Sequence, residues 1–282
     1  MTPQAARTIR DRFIPEAVRS HGWRDCMLHA LAIGAGMDPA AEHDHHLLDE
    51  ARMRTAPDMV SAILDPAQWH AGVTSLVWHE VTWHAPVPVE AELRRHSRIL
   101  ASDALSGGMS RLEVEHRVDH LGRTLATARQ VVMAGAATGR QNLRQTEAPV
   151  MPDRAPDHVV EAATQPQMAL IHVETGGGQP MNFDPAAARA ADLDRPVLQD
   201  LAIAGVARRA LADALCQGRP DAVGTQRVRF AGHAVPGDTL RTEIWLDGAT
   251  AIYRTCVAGG APVCDGTFRR SGSAANEEGK TT

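Results

Sequence analysis

At 282 residues, with 44% hydrophobic and 22% charged residues, the chain has the composition of a soluble globular protein and the length for one large or two medium domains. Its formal charge is −5 and its 29 basic residues are scattered rather than clustered, which leaves no electrostatic footprint for nucleic acid or a membrane surface. Cys26, Cys216, Cys256 and Cys264 have neither paired metal-ligand spacing nor the density of a disulfide scaffold, and no apolar run is long enough to span a bilayer; free thiols and a cytoplasmic protein are the expectation.

In chain order, Met1 to about Ser20 lacks strong periodicity and reads as an entry segment. Trp23 to Ile33 carries apolar residues at helical spacing, and Gly34-Ala-Gly36 ends that helix. The Glu42–Glu50 run, Glu-His-Asp-His-His-Leu-Leu-Asp-Glu, invites a metal reading, but its ligands crowd one segment with no distant partner, and it reads as a solvated turn. No metal and no cofactor are expected. Ala56–Asp65 is a second short helix, with Pro57 suited to its first turn.

From Thr74 to Ala134 the pattern turns to alternation, with strands at Val77–Trp83, Ala91–Leu100, Arg111–Val118 and Thr124–Met133. Residues 1–138 thus form one half, 139–156 a linker poor in apolar residues, 157–272 a second half and 273–282 a polar tail. The second half repeats the order of the first. Gln167–Val173 is a short helix, and Thr175-Gly-Gly-Gly-Gln-Pro-Met-Asn-Phe-Asp-Pro185 is a glycine-rich polar loop. Pro196–Cys216 is a helix apolar nearly all round and therefore buried. Strands follow at Val223–Phe230, Thr239–Leu246, Thr250–Val257 and Pro262–Phe268.

Several of these stretches resemble the type-2 enoyl-CoA hydratase group of MaoC-like proteins: Arg24–Gly36 and His84-Ala-Pro-Val-Pro88 in the first half, then Pro152–Pro156, Asp184-Pro185, Arg195-Pro-Val-Leu198, Val228-Arg-Phe230 and Pro236–Trp245 in the second. The resemblance implies an α+β double hotdog fold, two long helices each wrapped by an antiparallel sheet, in a protein that is often a homodimer. It also implies a signature, Ser-Gly-Asp-x-Asn-Pro-Leu-His, whose Asp and His act on a water and on the substrate α-carbon. Laid on this chain, the Asp falls on Gly177, the Asn on Gln179 and the His on Asn182, so both proton-moving side chains are absent. The His-Gly that follows Arg-Pro-Ile-Leu in the family is Gln199-Asp200 here; the amide at 200 can still face a thioester oxygen, with a carboxylate beside it.

Asp200, Asn182 and Gln199 are therefore the candidate catalytic residues. Asp200 is either a titrating group or a helix-start carboxylate satisfied by backbone amides, and Asn182 and Gln199 either orient a substrate or satisfy the loop. Gly177, Gln179 and His172 are candidates for substrate binding, and His172 or His84 could supply a base. In the first half Trp78, Trp83 and Met59, with Trp69, suggest an apolar lining for a large acyl- or polyketide-like ligand, against plain core packing. Three functions follow: a lyase or cyclase that shapes a large apolar substrate, an (R)-specific enoyl-thioester hydratase or dehydratase with relocated catalytic residues, and a non-catalytic binding subunit. The partner is a small apolar molecule, free or as a CoA or carrier-protein thioester.

Overall fold

The computed structural model describes residues 14–66, 69, 73–135 and 148–272. Most of the entry segment, residues 136–147 of the linker region and the tail 273–282 lie outside them. The first half runs β1 (Ala17–His21), α1 (Trp23–Leu31), α2 (His45–Leu48), a 3₁₀ turn (Pro57–Val60) continuing into α3 (Ser61–Leu64), then β2 (Val73–Trp83), β3 (Ala91–Ala104), β4 (Ser110–His120) and β5 (Arg123–Ala134). The second half runs β6 (His158–Ala163), α4 (Met168–Glu174), α5 (Pro185–Ala190), α6 (Asp200–Cys216), β7 (Val223–Phe230), β8 (Thr239–Asp247), β9 (Thr250–Val257) and β10 (Pro262–Arg270).

The strands form one antiparallel sheet in the order β1-β3-β4-β5-β2-β7-β10-β9-β8-β6. Read from the centre outwards, each side is the same series, so two copies of one unit, a strand, three helices and four strands, join through β2 and β7 with Trp78 opposite Arg229 and Thr82 opposite Thr225. This is the α+β double hotdog. The outermost strands, β1 and β6, carry no clear signal in the sequence. They have only five and six residues, too short to show a period, and they sit at the sheet edges where neither face is fully buried.

The two wrapped helices are unequal. α6 has 17 residues and is buried on almost every side, because Ala202, Ala204, Gly205, Ala207 and Ala210 let the sheet and the first half close around it. At Gly205 a Cβ would lie 2.5 Å from Ile33 and 2.6 Å from Asp58, so the close approach needs glycine. The helix ends where Gln217 turns left-handed (φ 55°). Its counterpart is only the Pro57–Leu64 segment, yet that segment is buried throughout, with Met59, Val60 and Leu64 fully shielded. Burial of each such side chain contributes roughly 1.5–3 kcal/mol. The segment is therefore packed as core, and Met59 is a core residue rather than a pocket wall.

The histidine-rich segment is not a solvated turn. Asp44 is buried, accepts from Gly36 N at 2.7 Å and receives Arg209 Nη2 at 2.7 and 2.8 Å on its two oxygens. A buried carboxylate needs such a partner, and the pair pins the segment to α6.

Candidate active site

The glycine-rich loop leaves α4 at Thr175, whose hydroxyl donates to His172 O at 2.8 Å, and closes in a 3₁₀ turn at Pro180–Asn182. Asn182 braces that turn from both ends: its Oδ1 accepts Gln179 N–H at 2.7 Å and its Nδ2 donates to Val197 O at 3.0 Å. With amide oxygen and nitrogen both committed, it works as a structural clamp. Gln199 is likewise tethered, Nε2 donating to Ala169 O at 2.9 Å, while its buried Oε1 has no partner among the described residues. Gln179 reaches across to Val73 O in β2 at 3.4 Å and ties the loop to the first half.

Between this loop and the start of α6 lies a cavity of about 60 Å³. Gln179, Asn182, Gln199, Asp200 and His233 line it from the second half, and Asp65 from the first. A water needs roughly 10–15 Å³ on this measure, so the space suits the reacting end of a ligand rather than a long chain. The Gln199 side chain does not cap α6, and the helix's first amides have no carbonyl one turn back, so the cavity meets the positive end of a buried helix.

The space beside Gly177 is not empty. A Cβ there would stand 2.8 Å from His172 Cε1 and 2.9 Å from Asp65 Oδ2, and the neighbouring Gly178 N–H donates to the same Asp65 oxygen at 3.1 Å. Gly177 is thus the floor on which two other side chains meet. Asp65 caps the short α3, its N–H bonded to Ser61 O, and sequence reasoning missed it because no motif surrounds it.

His172 is buried, and neither ring nitrogen has a hydrogen-bond partner among the described residues. Burial, reinforced by the neighbouring His29, lowers its pKa to about 4, so the ring is neutral at neutral pH. His29 is its counterpart in the first copy: Leu28-His29 and Ile171-His172 each precede a glycine by the same interval, Gly34 and Gly177, and the rings lie 6.0 Å apart. His29 Nδ1 is 3.4 Å from Thr175 Oγ1 and its Nε2 is 3.2 Å from Asp58 Oδ2, while Arg208 of α6 pairs with the other Asp58 oxygen. Burial alone would raise the Asp58 pKa, but the Arg208 and His29 charges hold it below the usual carboxylate range.

The tryptophans do not join this site. Trp78 shares the outer face of β2 with Glu80, opposite His79 and Val81, and packs under the Arg227 guanidinium at 4.9 Å. Trp83 donates to Pro57 O at 2.7 Å and lines a separate cavity of about 410 Å³ with Met53 and His84, at the place related to the first by the internal repeat. His84 is exposed and lies 2.9 Å from Thr127 Oγ1. Trp69 stacks obliquely on His116, 5.6 Å between centroids.

Residues 147–265 match the family model described as MaoC like domain. The chain is 29% identical over 271 residues to enoyl-CoA hydratase 2, peroxisomal, of Arabidopsis thaliana, covering 86% of this chain and 88% of that protein. It is 30% identical over 243 residues to enoyl-CoA hydratase ChsH3 of Mycobacterium tuberculosis, covering 81% of this chain and 84% of that protein. Among solved structures, a MaoC-like dehydratase from Phytophthora capsici superposes with a TM-score of 0.78 at 20% identity, over 93% of this chain and 97% of that one; at that identity the likeness is one of fold.

Proposed function

Because the chain belongs to the MaoC-like, type-2 enoyl-CoA hydratase family, we propose that it interconverts a 2-enoyl thioester and the corresponding 3-hydroxyacyl thioester. The observation that carries this reading is the cavity where the N-terminal end of α6 faces two carboxylates, Asp65 and Asp200. Hydration at C3 needs a group that takes a proton from water and a positive field for the charge that gathers on the thioester oxygen; a carboxylate and the N-terminal end of α6 bordering one space support this reading. The thioester is carried on CoA or on a carrier protein.

Trp78, Trp83 and Met59 lie outside this cavity, so it adds nothing to the cyclising role suggested by a large apolar lining. Incubation with crotonyl-CoA and longer 2-enoyl-CoA substrates, followed by loss of the conjugated enoyl absorbance, tests the proposal. Turnover of at least one chain length is expected. Inactivity across the series and on the matching 3-hydroxyacyl thioesters would remove it.

A further inference from the structure

We infer that Asp65, contributed by the first half of the chain, has taken over the proton transfer of the carboxylate that position 177 lacks. The inference rests on the hydratase reading. Its basis is a steric exchange: the Asp65 oxygen stands 2.9 Å from where a side chain at 177 would begin, so an aspartate at 177 and Asp65 as placed here compete for the same space. Asp65 also lines the cavity, is buried, and is aimed by the Gly178 N–H at 3.1 Å. His172, neutral, borders the same point at Gly177 from the other half of the chain.

In the hydration direction Asp65 removes a proton from a water as the water oxygen bonds to C3. The C2=C3 pair moves to C2 and the thioester carbonyl, and the carboxyl proton then passes to C2. One water is added, and the carboxylate is restored. Dehydration runs the same steps backwards.

The test compares rates on 2-enoyl-CoA substrates across pH for the full chain and its Asp65→Asn, Asp200→Asn and Asp65→Gly/Gly177→Asp variants. Asp65→Asn keeps the acceptor for Gly178 N–H and is expected to lower kcat by about 10²–10⁴-fold with little change in KM, and to lose the acid limb of the profile. Asp200→Asn is expected to retain that limb, and the exchange variant to recover part of the rate lost by Asp65→Asn. An Asp65→Asn enzyme with wild-type kcat and profile would overturn the inference while leaving the hydratase reading intact. A wild-type chain inactive on every thioester overturns both. Should Asp65→Asn not fold, the wild-type acid limb still decides: a limb nearly independent of temperature that survives Asp200→Asn marks the Asp65 carboxylate, whereas a limb that shifts with temperature as imidazole does, or vanishes in Asp200→Asn, overturns the assignment.

Discussion

Gly177 bears a constraint that its own lack of a side chain conceals. The His172 ring and the Asp65 carboxylate both press on the space a single methyl would need, and neither is the free end of a long flexible chain. Gly177→Ala is therefore expected to destabilise the fold by roughly 1–3 kcal/mol through overpacking, read as a lower midpoint in chemical denaturation. An unchanged midpoint would mean that the two side chains can retreat, and that Asp65 is not held where the site requires it. Asn182 and Gln199 show the opposite pattern, polar side chains whose hydrogen-bonding groups are engaged mostly with the loop itself.

At the scale of elements, α6 is fastened to the first half by a buried charge cluster. Arg208 from the helix and His29 from α1 converge on Asp58, at the start of the Pro57–Leu64 segment. Removing the acid leaves a guanidinium with no counter-charge in the interior, and Asp58→Asn is expected to cost about 3–5 kcal/mol in urea unfolding. A loss under about 1 kcal/mol would show that Arg208 finds water or another acceptor. The depressed Asp58 pKa adds a sign: its contribution is present above the unfolded carboxylate value and fades only as pH falls below it.

For the whole molecule, the interior keeps several histidines neutral. Burial lowers His79 and His172 to about 4 and His116 to about 3, against 6.5 for the free side chain. Below about pH 6.5 the unfolded chain binds protons at these positions that the folded chain refuses, so stability falls as pH drops from about 6.5 towards 4, by up to about 1.4 kcal/mol per histidine for each pH unit. Unfolding free energy measured at pH 7 should exceed that at pH 5, and His116→Gln should flatten the slope. A flat profile for the unmodified chain would mean that water reaches these rings.

The sequence by itself determined the repeated architecture, the buried α6 and eight of the strands, because burial writes a period of two or 3.6 into any element long enough to show it. It also located the loop at 175–185, with a glycine at 177. Only the tertiary structure decided what stands against that glycine. Asp65 and Gly177 are far apart along the chain, Trp78 turns to the far side of the sheet, and Met59 disappears into the core. Such outcomes depend on which side chains two packed halves bring to one point, and no local pattern records them, since a carboxylate at the end of a short helix reads the same whether it faces solvent or a reaction cavity.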